Sequence, residues 1–318
     1  MKISVLTHWE QICGLGGWED LVIHCGASPY SSPTYVIPWW REFNKGRLCC
    51  VTAEEDEQLV GLLLAYERPL FPGRWEVELL GSGNGEVHQV LVAEDRSDVT
   101  ESLWEALLGD PRRQLRLRDL VEVPSSAPLE TQAGRARITS SLPRRVIDIV
   151  DEQRADDEGQ TQESAHSIDI VRARTPEAVQ SLAPDFLEHQ SKGQTNDFGP
   201  RYAAFVLSML DASARRGVLS IHTVREDGEV AAVSICLHGG SVSAVWGPSV
   251  RRRDGVSVPP SLCELLVRDV TREAQSRGAE RLILQGDRLI NGSRPFRLLD
   301  VEALVRPRLP ERVSGWLH

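Results

Sequence analysis

The order of predicted secondary-structure elements repeats along this chain, and the repeat constrains the fold more than any short motif does. Each half runs strand, two helices, three strands, helix, strand and a further strand. A repeated order of this length indicates one structural unit that is present twice. The sequence therefore predicts an α/β protein with mixed (α+β) sheets, made of two similar domains in tandem.

Length and one acidic segment place the expected domain boundary. The chain has 318 residues, which exceeds the length at which a single hydrophobic core stops growing. Residues 151–167 are polar and acidic with almost no apolar side chains, as in a linker or a long surface loop. We therefore expect an N-terminal domain over residues 1–150, and a C-terminal domain over 168–318 after this linker.

Local signals place several elements of the first half. Residues 9–25 are predicted to be helical, and residues 33–43 to form a broken start that leads into a short helix. An acidic turn over residues 54–58, between two apolar runs, predicts a β-hairpin. Asp98 precedes a helical apolar face, so we expect it to be the N-cap of that helix.

The second half carries signals of the same kind. Thr175 precedes an amphipathic stretch and is the expected N-cap of its helix. The dipeptide Asp227-Gly228 between two apolar runs predicts a two-residue hairpin turn. A helix is expected over residues 260–278, and the last strand of the unit within residues 296–309.

Composition and missing motifs exclude several classes of protein. No apolar run reaches about 18 residues, so no membrane span is expected, and the start of the chain shows no secretory signal, which favours a cytoplasmic location. The six cysteines form no C-x-x-C pair and no zinc-spaced cluster, so we expect reduced thiols and no metal. No G-x-S-x-G nucleophile motif is present. The net charge of -10 disfavours nonspecific DNA binding.

Two series of residues carry a family resemblance. In the first half they are Trp18, Leu21, Ser28, Pro29, Tyr30, Ser32, Pro33, Trp39, Trp40 and Phe43. In the second half they are Phe186, Leu187, His189, Gly228, Val230, Ala231, Ala232, Leu237, Gly239, Gly240, Trp246, Gly278, Gly286 and Asp287. In this order they resemble the GNAT acyltransferase superfamily, most closely its tandem branch with the CelD-like and Fem-type proteins. The resemblance covers nearly the whole chain and implies two GNAT-like domains.

The resemblance implies an acyl-donor site in the C-terminal domain. Acyl-CoA would bind where two parallel strands separate, with its diphosphate on backbone N–H groups at the start of the next helix. Arg252, Gly255 and Ser257 stand where the family has its Arg/Gln-x-x-Gly-x-Gly/Ala motif, and Trp246 precedes them on the strand. The alternative interpretation of this stretch is a solvated turn rich in arginine.

The resemblance also implies direct attack of an acceptor amine on the thioester. That reaction needs a group that takes the proton of the amine, and His189 and Asp287 are the candidate catalytic residues. The alternatives are local packing of His189 on its helix and capping of the next turn by Asp287. Tyr30, Trp39 and Asn291 are the candidate substrate-binding residues.

The neighbouring Trp39 and Trp40 raise a separate question. Adjacent residues of a helix point in different directions, so we do not expect both side chains to face inward. One of them would then line a groove between the domains, and core packing is the alternative.

Two departures from the family pattern bear on activity. The tandem branch has a Tyr-Lys pair after its Gly-Asp, and Ile290 and Asn291 hold those positions here. Leu282 stands where an acidic residue is common. The usual substrate contacts would therefore differ in this chain.

The favoured function is transfer of an acyl group from acyl-CoA to an amine of a small metabolite or a cell-envelope precursor. The N-terminal domain would be structural or would shape the substrate site. One alternative is a Fem-like transferase that uses aminoacyl-tRNA, which an acidic chain with three lysines disfavours. Another is an inactive GNAT scaffold that only binds a ligand or a partner. A homodimer is compatible with each of these functions.

Overall fold

The structure is a computed structural model, and it describes residues 1–44, 46–70, 73–82, 89–93, 96–121, 133–140, 144–148, 168–193, 199–250, 260–284, 294–296 and 298–305. Its helices are α1 (Trp9–Cys13), α2 (Trp18–His24), α3 (Pro33–Phe43), α4 (Ser97–Leu108), α5 (Pro176–Gly193), α6 (Pro200–Arg215) and α7 (Pro260–Ser276). Its strands up to residue 148 are β1 (Lys2–Leu6), β2 (Arg47–Leu48), β3 (Cys50–Glu55), β4 (Gln58–Leu63), β5 (Ala65–Leu70), β6 (Arg74–Leu79), β7 (Leu91–Val92), β8 (Arg113–Val121), β9 (Ala133–Ser140) and β10 (Arg144–Asp148). The later strands are β11 (Ile168–Ala173), β12 (Leu219–Glu226), β13 (Glu229–Gly239), β14 (Val242–Val250), β15 (Arg281–Leu284), β16 (Arg294–Phe296) and β17 (Leu298–Val305).

Packing divides the chain into two compact units, each made of separate stretches. Unit 1 comprises Met1–Leu21, Lys45–Ser141 and Arg297–His318, and unit 2 comprises Val22–Asn44 and Leu142–Phe296. This division differs from the expected boundaries in three segments. Helix α3 and strand β10 belong to unit 2, whereas β17 belongs to unit 1.

The prediction that the last strand belongs to the second unit is wrong. A strand does form within residues 296–309, but this strand, β17, pairs with β8 and β9 in a sheet of unit 1. In unit 2, β10 pairs with β15 and β16. Partners this far apart in the chain leave no local signal, so the order of elements cannot reveal them.

Unit 1 contains two sheets in its described part. Their strand orders are β1-β3-β4-β7 and β2-β5-β6-β8-β17-β9, with β6 and β8 parallel. Helix α4 packs the buried Val99, Leu103, Trp104 and Leu107 against β3 and β4. Gly61 of β4 permits this close approach, because a Cβ atom there would lie 2.6 Å from Val99 Cγ1.

Two local predictions for unit 1 can be compared with the structure. The hairpin predicted around residues 54–58 is confirmed: β3 and β4 are joined by Asp56 and Glu57, both with positive φ. The N-cap of α4 is Arg96 rather than the expected Asp98. Asp98 lies one step inside the first turn, where it accepts hydrogen bonds from Arg96 and its charge complements the positive end of the helix.

Unit 2 is built on one large sheet, ordered β11-β12-β13-β14-β15-β10-β16 in its described part. The predicted turn Asp227-Gly228 joins β12 to β13, and both residues have positive φ. Helix α7 packs Leu262, Leu266 and Val270 on one face of the sheet. Helices α5 and α6 cover the other face, and α3 packs against α6.

Helix α3 is buried over most of its circumference. Trp39 and Trp40 are 4% and 5% exposed, so the expectation that they cannot both face inward is wrong. Tyr35, Val36 and Pro38 are buried as well. A helix that is covered on most sides buries neighbouring residues even though they point in different directions.

Two further findings concern the membrane and the thiols. No helix in the described part of the chain is long and apolar enough to cross a membrane. The six cysteines all lie in the described part of the chain and form no disulfide bond, and Cys49, Cys50 and Cys236 are buried. Burial raises the pKa of the Cys50 thiol to about 12, so this thiol stays protonated and unreactive at neutral pH.

Candidate functional site

The parallel strands β14 and β15 are the first feature of the candidate site in unit 2. Their pairing runs from Val242 opposite Arg281 to Val245 opposite Leu284. Strand β14 continues alongside β13 to Val250 and so extends beyond the described part of β15. Ligands of open α/β sheets bind at the carboxyl ends of parallel strands, so this end of the pair is the candidate ligand site.

A β-bulge lies at the same end of the pair. Ile235 of β13 is opposite Trp246, whereas Val233 is opposite Ser249. Two residues of β14 therefore stand opposite the single residue Ser234. A bulge interrupts the ladder and redirects the strand, and bulges are common beside active sites.

The start of α7 lies beside the end of β14. Leu262 in the first turn of α7 packs with Ala232, whose partner on β14 is Val250. The first turn of α7 contains no acidic residue. Backbone N–H groups and the helix dipole make such a terminus favourable for an anion, and a phosphate group is the common example.

The corresponding helix of unit 1 has the opposite electrostatic character. The first turn of α4 contains Asp98, and Arg96 before it donates hydrogen bonds to Glu55 and Asp98. A phosphate at this end would meet a carboxylate and an arginine that is already paired. The two units therefore differ in their ability to hold an anion.

An aromatic cluster fills the sheet face beside the bulge. The rings of Phe186, Tyr202 and Phe205 have centroids 6.0 Å from that of Trp246, and the centroid of Tyr35 is 6.4 Å away. Edge-to-face and tilted contacts of this kind favour both burial and fixed ring positions. Trp246 is only 4% exposed, so the end of the parallel pair rests on a packed apolar layer.

Comparison with known proteins finds a family whose model matches this part of the chain. Residues 153–287, which include the parallel pair and α7, match the family described as Acetyltransferase (GNAT) domain. This stretch of the chain is therefore similar to a GNAT acetyltransferase domain. The family resemblance predicted from the sequence is thereby confirmed.

Solved structures share the tandem GNAT fold over nearly the full chain. A tandem GNAT protein from the clavulanic acid biosynthesis pathway is 15% identical with a TM-score of 0.52, over 97% of this chain and 99% of that chain. FemX is 8% identical with a TM-score of 0.61, over 100% of both chains. A conserved protein of unknown function from Bacteroides thetaiotaomicron is 9% identical with a TM-score of 0.55, over 95% of this chain and 100% of that chain. These likenesses confirm the predicted fold class, two GNAT-like domains in tandem; no curated protein sequence matches significantly.

Three predicted site residues lie in the described core of unit 2. Trp246 lies at the bulge, Tyr30 packs edge-on against Tyr35 at 5.1 Å, and Trp39 packs against Phe43 at 5.8 Å. All three side chains are buried. They shape the domain from inside, and direct binding of a ligand by them stays a prediction.

The other predicted site residues cannot be placed in the same way. His189 lies on α5, and its side chain is outside the described part of the chain. The residues that lie wholly outside the described ranges are Arg252, Gly255, Ser257, Asp287 and Asn291. Their binding and catalytic roles stay predictions.

The GNAT domain also contains a buried polar chain that no sequence motif indicated. Asp269 of α7 lies 2.7 Å from His222 Nδ1, and His222 Nε2 lies 2.8 Å from Ser220 Oγ. Ser220 Oγ lies 3.1 Å from His238 Nε2, and His238 Nδ1 lies 3.0 Å from Ser243 Oγ. We call these five residues the polar chain.

Arginines neutralise the two buried acids of α7. Arg172 donates hydrogen bonds to both carboxylate oxygens of Asp269, and Arg174 and Arg277 donate to Glu273. Burial alone would raise the pKa of both carboxyls. The hydrogen bonds from the arginines, together with the one between His222 and Asp269, outweigh this effect. The pKa of each carboxyl is therefore held below its usual range, and both are ionised at neutral pH.

The polar chain resembles a nucleophilic triad in its bonding but not in its exposure. Ser220, His222 and Asp269 follow the Ser-His-Asp order, yet Ser220 and His222 are 0% exposed and Asp269 is 4% exposed. A substrate cannot reach the Ser220 hydroxyl. Burial and, to a smaller extent, the charge of Arg277 lower the pKa of His238 to about 3, so this ring is neutral at physiological pH.

Proposed function

We propose that unit 2 is the catalytic unit and transfers an acyl group from acyl-CoA to an amine of a small metabolite or a cell-envelope precursor. The match of residues 153–287 to the acetyltransferase (GNAT) domain carries this proposal, because that stretch contains β14, α7 and β15. The acid-free first turn of α7 beside the end of β14 supports a diphosphate site there.

The proposed reaction is one acyl transfer without a covalent enzyme intermediate. The nitrogen of the acceptor amine attacks the thioester carbonyl carbon, the C–N bond forms, and the C–S bond breaks to release the CoA thiolate. His189 takes the proton that the amine loses, directly or through water, and Asp287 orients the amine. A backbone N–H group holds the developing oxyanion, and the β14 bulge supplies backbone that is not engaged in the regular ladder.

Unit 1 is proposed to be structural or to shape the acceptor site. Its helix α4 carries Asp98 in the first turn, and Arg96 is engaged with Glu55 and Asp98. A CoA diphosphate would be repelled by the carboxylate there. One donor site per chain, in unit 2, is therefore the expected stoichiometry.

The proposal is tested by donor binding and by turnover. Acetyl-CoA, longer acyl-CoAs and free CoA are compared for thermal stabilisation of the protein, and CoA release is followed with a panel of amines. We expect stabilisation by acyl-CoA that Arg252→Ala abolishes. The matched control is Arg112→Ala, which removes an exposed arginine of unit 1 paired with Asp110 and should leave the stabilisation intact. Absence of stabilisation by every CoA compound would overturn the proposal.

A second candidate is a transferase that uses aminoacyl-tRNA. The likeness in fold to FemX over 100% of both chains favours it, and the net charge of -10 argues against it because tRNA binding needs basic surface. Binding of aminoacyl-tRNA without binding of any CoA compound would favour this candidate. Binding of acyl-CoA without transfer to any amine in the panel would instead favour a non-catalytic scaffold.

A further inference from the structure

The apolar face of α7 does not by itself fix the position of the helix on the sheet. The described part of α7 has five buried apolar residues, and four of them, Leu262, Leu266, Val270 and Ala274, recur every four residues, whereas the fifth is Val267. A shift of the helix by four residues, about 6 Å along its axis, would place each of the four where its neighbour was. The spacing of these four residues alone therefore permits more than one register.

The polar residues of α7 remove this ambiguity. A four-residue shift in one direction would bring Arg277 into the position opposite Arg174, so that two positive charges would face each other. The opposite shift would bring Leu265 into the position of Asp269, and His222 would lose its partner. Buried polar pairs are best attested as devices that fix register, and this arrangement has that property.

Asp269 is held from two neighbouring strands at once. His222 of β12 donates to it over 2.7 Å, and Arg172 of β11 donates through Nε over 2.9 and 3.1 Å. Arg172 and His222 are partners in the register of β11 and β12. A rotation or a shift of α7 would break both contacts, since the two donors are fixed by the sheet.

The carboxylate of Asp269 fixes a proton on Nδ1 of His222, because an ionised carboxylate only accepts hydrogen bonds. The other contacts are compatible with this proton: with a neutral His238, Ser243 can donate to His238 Nδ1, His238 Nε2–H to Ser220, and Ser220 to His222 Nε2. His222 then presents its Nδ1–H to Asp269. The Nδ1–H group of His222 on β12 therefore points toward α7.

We infer that His222 is a positioning residue for the acyl-donor site, because through Asp269 it sets the register of α7 and so the position of the helix's first-turn N–H groups. Asp269 lies nine residues after Pro260, a distance of about 13 Å along the helix. A rigid helix transmits a shift at Asp269 to its N-terminus undiminished. This inference rests on the proposed function, which gives the position of α7 its consequence for the donor.

Two substitutions at His222 separate the two bonds of its ring. His222→Asn places an amide N–H close to the position of Nδ1 and keeps the donor to Asp269. His222→Gln reaches toward the position of Nε2, so it keeps the contact with Ser220 and loses that with Asp269. His238→Gln is the matched control, because it alters the polar chain at a ring that contacts Ser220 and Ser243 and, within the described part of the chain, has no hydrogen bond to α7.

The readouts are the KM and kcat for acetyl-CoA and the hydrogen exchange of α7 in the full chain. For His222→Gln we expect the KM to rise about tenfold with kcat within about twofold, and for His222→Asn and His238→Gln a KM within about twofold of the wild type. Exchange should become faster in α7 of His222→Gln, and not in α7 of His222→Asn. Equal KM increases in His222→Gln and His238→Gln, or no increase in His222→Gln, would overturn the inference.

The exchange measurement keeps this inference separate from the proposed function. If the wild type binds no acyl-CoA, the proposed function fails, and the difference in α7 exchange between His222→Gln and His222→Asn still decides whether His222 positions the helix. If His222→Gln does not fold, as judged by circular dichroism, Asp269→Asn takes its place. A folded Asp269→Asn protein with unchanged KM and unchanged α7 exchange would also overturn the inference.

Discussion

At the scale of single residues, the GNAT domain keeps ionised and neutral polar groups side by side under one helix. Asp269 and Glu273 are ionised because arginines donate to them inside the domain. His238 is neutral because burial penalises its charged form. The protonation states follow from the surroundings of each group, and they make the stability of unit 2 depend on pH.

His238 should give the stability of the protein a measurable pH dependence. The pKa of His238 is lowered from 6.5 to about 3 in the folded chain, so between these values the unfolded chain binds a proton that the folded chain does not. The free energy of unfolding should therefore fall as the pH falls below 6.5, with a slope of up to about 1.4 kcal/mol per pH unit. Urea unfolding at several pH values measures this slope, and His238→Gln should reduce it. Parallel pH profiles for the wild type and His238→Gln would contradict the prediction.

The polar chain also shows what single residues in a sequence can and cannot predict. Ser220 and His222 alternate with apolar residues on β12, which indicates polar side chains on a buried face that need partners. Asp269, the partner of His222, is 47 residues away along the chain, and only the register of α7 brings the two together. Trp246 was predictable as a residue near the end of β14, but its place inside an aromatic cluster depends on α3, α5 and α6.

At the scale of elements, structure followed the sequence where the signal was local. The turns at Asp56-Glu57 and Asp227-Gly228 were predictable because short turns demand particular residues. The assignment of β10 to unit 2 and of β17 to unit 1 was not predictable, because both strands pair with partners that are distant in the chain. The need for glycine at position 61 was not predictable either, because it depends on α4, which packs over this residue.

Gly61→Ala should destabilise unit 1 by overpacking. The new Cβ atom would lie 2.6 Å from Val99 Cγ1 and 3.1 Å from Leu103 Cδ1, and both of these side chains are fully buried. We expect a loss of about 1–3 kcal/mol in the free energy of unfolding, measured by calorimetry. Gly16→Ala is the matched control, because a Cβ atom there meets nothing within 4 Å. Equal stability of the two variants would contradict this account of the packing.

At the scale of the whole molecule, each unit is assembled from separate stretches of chain. Helix α3 follows the first strand and two helices of the chain, yet it packs with α6 in unit 2. Its Tyr35 and Phe43 lie 5.3 and 5.5 Å from Phe205, between ring centroids. A division at the acidic segment therefore does not yield two self-sufficient halves.

A fragment of residues 142–296 should therefore be unstable alone. It lacks α3, which contributes Tyr35 and Phe43 to the aromatic packing around Phe205. We expect a peptide of residues 22–44 to restore cooperative thermal unfolding, and the same peptide with Tyr35→Ala and Phe43→Ala to fail. A fragment as stable without the peptide as the full chain would show that α3 is dispensable for unit 2.

The most direct test of the central claim is a hydrogen-exchange comparison of the full chain with and without acetyl-CoA. If unit 2 holds the donor, exchange should slow at the start of α7 and at the end of β14, and should stay unchanged in α4 and β6 of unit 1. Slower exchange in α4 and β6 instead, or no change anywhere in the chain at saturating acetyl-CoA, would contradict a donor site in the second unit.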